Sequence, residues 1–112
     1  MSQSDKVLQA GDALATDVFD AYLDGSYSSF RMRLYAAHNS LTTQMWLVRS
    51  HRAEVDAAPA SKAAAAVSKC RAASQAFRSA TTAAARSKAV SHTFAAMDAI
   101  NGVLPQQVRD FA

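Results

Sequence analysis

The stretch Ala57–Met97, AAPASKAAAAVSKCRAASQAFRSATTAAARSKAVSHTFAAM, is 41 residues without an aspartate or glutamate. It carries Lys62, Lys69, Arg71, Arg78, Arg86 and Lys88 on a backbone that is largely alanine, the strongest helix former. Proline follows Ala58 and suits a first helical turn, so a helix is predicted to begin near Pro59 and run to Ile100, with Asn101-Gly102 as its stop. About 40 residues at 1.5 Å each would span about 60 Å. That exceeds a three-helix domain of this size, so the helix either breaks or extends into an assembly. Ala63, Ala66, Cys70, Ala73, Phe77, Ala80, Ala84 and Ser87 follow a seam of alternating three and four residues. Val90, Phe94, Met97, Asn101 and Leu104 follow a second seam displaced by three, which predicts a bend or register shift near residues 85 to 91.

Working outward, helix 1 is expected from about residue 4 to 24. Ser4 is its predicted cap, Val7, Ala10, Leu14, Val18 and Ala21 its buried stripe, and Gly25 its left-handed stop. Helix 2 is expected from about 28 to 55, capped by Ser28 or Ser29. Phe30, Leu34, Ala37, Leu41, Met45, Val48 and Val55 form its apolar stripe. A second apolar set, Met32, Ala36, Trp46 and Leu47, lies away from it, as in a central helix or a subunit interface. A short turn over 105 to 111 is predicted to dock Val108 and Phe111 inward. The expected architecture is a single all-α domain over 1–112. It is an antiparallel bundle of about three helices with a long, alanine-rich third, dimeric or higher.

The net charge of +3 conceals an asymmetry: −4 over residues 1–24, +2 over 25–56, +6 over the acid-free stretch and −1 over 98–112. An acidic partner, a self-complementary assembly, or pairing between the chain's own helices each fit such a layout. One cysteine, Cys70, allows no internal disulfide, the first residues lack the apolar core of a signal peptide, and no stretch approaches a membrane span. These features predict a soluble, intracellular, cytoplasmic protein.

Catalytic chemistry finds little support. Asp17, Asp20 and Asp24 share a face, but no histidine joins them, and a solvated or internally paired face is the favoured reading. His38, His51 and His92 lack metal-ligand spacing, so no metal and no cofactor is expected. No Gly-x-Ser-x-Gly elbow surrounds a serine, and Cys70 reads as core packing. The expectation is a protein that is not an enzyme.

On one continuous helical wheel, Arg71, Arg78 and Arg86 fall within about 80° of one another, roughly opposite the alanine seam. Lys62, Lys69 and Lys88 flank that seam, and Arg31, Arg49 and Arg52 add cations beside the apolar face of helix 2. Such groups neutralise phosphates and release counterions, giving affinity without base reading. Helix 3 offers no exposed aromatics for stacking, so a duplex, RNA or DNA, gripped by its backbone is the expected partner. In style the layout is similar to small viral or phage helical proteins that grip duplex RNA along a basic helix face, a likeness of layout without a shared motif. The alternative is a protein-protein interaction module such as an inhibitor, adaptor or assembly subunit. Its small-residue seam of Ala66, Cys70, Ala73, Phe77 and Ala80, with Trp46 as an anchor, would accept a partner helix, and an acidic protein surface and a homo-oligomer are the partners expected beside nucleic acid.

Overall fold

Helix α1 spans Gln3–Leu23 and is started by Ser2, two residues before the expected cap. The Ser2 hydroxyl accepts from the Asp5 N–H at 3.1 Å, and the Ser2 N–H donates to the Asp5 carboxylate at 3.3 Å, a reciprocal capping box. Ser4 is buried instead, with its N–H donating to the Asp56 carboxylate at 2.8 Å. Asp24, in an extended conformation, ends α1, and its carboxylate accepts from the Ser26 N–H to start a 3-10 segment over Gly25–Phe30. Gly25 therefore provides no left-handed cap; no residue among those described has positive φ. Ser28 and Ser29 fall inside the 3-10 segment and cap nothing.

Helix α2 runs Arg31–Ser50 and is interrupted at His51 before a short α3, Arg52–Ala57. Helix α4, Ala60–Ser79, and helix α5, Ala83–Asn101, replace the single long third helix. The chain reverses at Ala80-Thr81-Thr82, earlier than the bend predicted near 85 to 91. Ala80 leaves the helical region with ψ of 122°, and the Thr82 hydroxyl accepts from the Ala85 N–H at 3.1 Å to start α5. A reversal rather than a bend accounts for the displaced seam, because two separate helices need share no register. A final turn, α6, covers Gln106–Arg109. The computed structural model describes residues 1–109, so the expected docking of Phe111 lies outside the described residues.

Antiparallel α1–α2 and antiparallel α4–α5 form two hairpins, with α1 against α4 and α2 against α5. Lys6 faces Ala63 and Ala64, Ala13 faces Ser74 and Asp17 faces Arg78, so α1 and α4 run in the same direction. The result is an all-helical body of 40 × 23 × 17 Å. Val7, Leu14, Val18, Leu34, Leu41, Met45, Val48, Val90, Ile100 and Leu104 fill its interior. Gln44 donates across the core to the Met97 carbonyl at 2.9 Å and the Asn101 amide oxygen at 3.0 Å. The Gln3 amide donates to the carbonyls of Val55, Asp56 and Ala58, so the start of α1 satisfies the end of α3.

Candidate nucleic-acid interface

Residue periodicity divides the cations of α4. Ala63, Ala66, Val67, Cys70, Ala73 and Ser74 form its buried stripe. Arg71 and Arg78 lie on the flank that meets α1, and Lys62 and Lys69 lie on the opposite flank, all four exposed. Because the chain reverses at residues 80–82, Arg86 belongs to another helix, and the single row of Arg71, Arg78 and Arg86 does not form. Arg86 sits at the end of the bundle, its guanidinium 5.8 Å from the Tyr27 ring centroid, while Lys88 is exposed on α5. Arg78 is 3.8 Å from the Asp17 carboxylate.

The cations of α2 and α3 face a different environment. Arg49 pairs with Asp12, and Arg52 pairs with Asp5 at 2.8 Å. The Arg52 hydrogen bond, followed by those from Ser2, holds the Asp5 carboxyl below its ordinary range. Arg31 lies 5.0 Å over the Tyr22 ring, and Arg33 lies 5.2 Å over Phe94. The acidic helix 1 is thus the internal counter-charge of helix 2, and Arg49 and Arg52 are engaged rather than presented. Such solvent-exposed pairs orient the side chains and add little to stability.

Two shallow grooves lie between α1 and α4 and meet at Arg71. One, of about 520 Å³, has a floor of Ala60, Ala63, Ala64 and Val67 with Lys6 and Arg71 at its edges. The other, of about 330 Å³, is lined by Gln9, Ala13, Arg71, Gln75 and Arg78 among others. Among the described residues no carboxylate lines either groove. Lys6 is a cation that the sequence reading passed over. Its signal was available: it is the only basic residue in the acidic first helix, three residues before Gln9 on the flank that turns toward α4.

The small-residue seam proposed as an open interface is interior. Ala66, Cys70 and Ala73 are buried where α4 meets α5 and α1, because small side chains let these backbones approach closely. Phe77 packs against Tyr27 at 5.7 Å between ring centroids, and Ala80 is half-buried in the turn. Burial pushes the Cys70 thiol up to about 11, so it stays protonated and unreactive near neutral pH. Trp46, by contrast, is 64% exposed. It shares the α1–α2 hairpin with the other exposed aromatics, Phe19 and Tyr35, which no single-helix pattern had marked. Among the described residues no helix is long and apolar enough to cross a membrane. The chain matches no known family model, no curated protein and no solved structure.

Proposed function

We propose that this is a non-enzymatic helical binding protein that grips nucleic-acid backbone, sequence-independently, through the α4–α5 hairpin and the adjoining edge of α1. One observation supports the reading. Lys62, Lys69, Arg71 and Lys88 are exposed and stand in no ion pair among the described residues, whereas Arg49 and Arg52 are neutralised by the chain's own aspartates. Lys6 extends this surface into the acid-free α1–α4 groove. Four or five such contacts give a slope of roughly −4 in log K against log salt for a duplex, at about −0.9 per neutralised phosphate. Fluorescence anisotropy with duplex RNA, duplex DNA and single strands at two salt concentrations measures it. The Lys62→Glu, Lys69→Glu, Arg71→Glu variant is expected to lose binding with its helical circular dichroism intact. Salt-independent binding, or a triple variant that binds like the parent, refutes the reading.

A second reading, a protein-protein interaction module, draws on a different surface. The outer face of the α1–α2 hairpin exposes Phe19, Leu23, Met32, Tyr35 and Trp46, an apolar group of the kind that marks a docking site. The buried seam of α4 takes no part in it.

A further inference from the structure

We propose that helix α2 carries the seam of a two-fold homodimer, in which the α1–α2 hairpins of two copies pair with their α2 helices antiparallel about Asn39. The residues Met32, Ala36, Asn39, Thr43, Trp46 and Ser50 recur at spacings of four and three, and every one is exposed. This is a second coiled-coil-like stripe on a helix whose other side already fills the core with Leu34, Leu41, Met45 and Val48. Met32 is 87% exposed, and it stands about 21 Å along the axis from Trp46.

The stripe is complementary to itself. Antiparallel pairing about Asn39 sets Met32 of one copy against Trp46 of the other, a thioether against an aromatic ring. It also sets Tyr35 opposite Thr43, a large side chain against a small one, and Ala36 opposite Thr42, where two small residues let the backbones approach. The same register brings Arg31 of one copy level with Asp12 of the other, since Asp12 is paired with Arg49 at the far end of α2.

The polar members of the stripe are already prepared for loss of water. The Thr42 and Thr43 hydroxyls both donate to the Asn39 carbonyl, at 2.9 and 3.0 Å, and the Ser50 hydroxyl donates to the Trp46 carbonyl at 3.0 Å. Covering them leaves no hydroxyl proton unpaired. The Asn39 side-chain amide is the exception, and on a two-fold axis two such amides can bond each other, the device by which a buried asparagine fixes register in coiled coils. Tyr35, tilted against Tyr22 with ring centroids 5.8 Å apart, and Phe19, beside His38 at 5.1 Å, widen the apolar face. Trp46 and Tyr35 keep 64% and 56% of their surface uncovered and Phe19 43%, and with Met32 this is the apolar area that a second copy would bury. Helix α4 packs against α1 and α5, away from this stripe, so the pairing leaves the cationic hairpin open and does not depend on the nucleic-acid reading.

Sedimentation equilibrium on the whole chain is expected to give twice the chain mass. Met32→Glu and Trp46→Glu, both at exposed positions, should each raise the dimer dissociation constant roughly thirtyfold or more without changing the circular dichroism. Mixing Ala36→Cys with Thr42→Cys under mild oxidation should yield the mixed disulfide in preference to either self-pair; Cys70 is buried and does not compete. A chain that stays monomeric well above micromolar concentration overturns the proposal, whatever else binds the face. So does preferential Ala36→Cys self-pairing, which would mean a parallel arrangement. A Met32→Glu monomer that still binds duplex in a salt-dependent way separates the fate of this proposal from that of the nucleic-acid reading.

Discussion

The α1–α2 hairpin fills its interior mainly with leucine, valine and methionine, and its exterior is tied by Arg49–Asp12 within it and by Arg52–Asp5 from α3, whereas the α4–α5 hairpin buries mostly small residues and holds no ion pair within itself among the described residues. Its inner positions are mostly small, Ala63, Ala66, Cys70, Ala73, Ser74, Ala89, Thr93 and Ala96 beside Val67, Val90 and Ile100, and its exposed Lys62, Lys69 and Lys88 stand in no ion pair among the described residues. The first hairpin gains stability from area, about 25 cal/mol per Å² of apolar surface removed from water. The second has little side-chain area to bury and depends on close backbone approach and dispersion contacts instead. Thr93, wholly buried, is accommodated there because its hydroxyl donates to the Ala89 carbonyl at 3.0 Å within its own helix. The two modes of packing also divide the surface, since the acids that neutralise α2 and α3 lie on α1, and α4 meets only Asp17 among them as an ion-pair partner.

The two hairpins are expected to fail in opposite directions when side-chain size is changed. Leu41→Ala opens a cavity in the large-residue interior and should cost about 3 kcal/mol in urea unfolding followed by circular dichroism. Ala73→Leu adds bulk where α4 is closely packed and should cost about 2 kcal/mol, while Ala72→Leu, one residue along on the exposed side, should be nearly neutral. Equal tolerance at positions 72 and 73 would remove the distinction between the hairpins.

A smaller effect tests the turn that separates α4 from α5. Thr82→Ala removes the hydroxyl that accepts from the Ala85 N–H and should cost about 1 kcal/mol. Hydrogen exchange should show the loss concentrated in the first turn of α5, and uniform loss would mean that the cap does not govern the reversal.

The weakest expected effect concerns pH and the start of α1. Asp5 is held low by the Arg52 and Ser2 hydrogen bonds, and Asp56 is held low chiefly by the Ser4 backbone N–H. Folded values below the ordinary 3.8 mean that the stability these groups contribute is complete above that pH and is lost as pH falls through the lower folded values. Relative to the intrinsic exchange rate at each pH, amide exchange at Ser4 and Asp5 should therefore accelerate on acidification below about pH 4, with no matching change at the Thr82 cap, which has no carboxylate. An Asp56→Asn variant should shrink that acceleration, and an unchanged response would place its source elsewhere.

The stripes of α1 and α2 were readable because each repeats large apolar residues at helical spacing against polar neighbours. Val7, Leu14, Val18, Leu34, Leu41, Met45 and Val48 are all interior as the spacing requires. The turn at Ala80-Thr81-Thr82 was harder to place because no glycine or proline marks it and alanine favours helix on both sides. The displaced seam signalled an interruption, and Thr82 as a cap was its only local marker. Likewise the wheel that aligned Arg86 with Arg71 and Arg78 assumed a continuity that the reversal removes.

The amino-acid sequence by itself determined an all-helical chain, the buried faces of α1 and α2, and the acid-free basic segment. Those properties follow from residue type and spacing along a single helix, which are local. Only the tertiary structure decided that the alanine seam faces inward, that Asp5 and Asp12 neutralise Arg52 and Arg49, and that Met32 and Trp46 remain uncovered. Each of these depends on which helix lies alongside which. Pairings between residues some 40 positions apart are set by the direction of a turn and by the closeness that small side chains permit, and neither is encoded in one helix's periodicity.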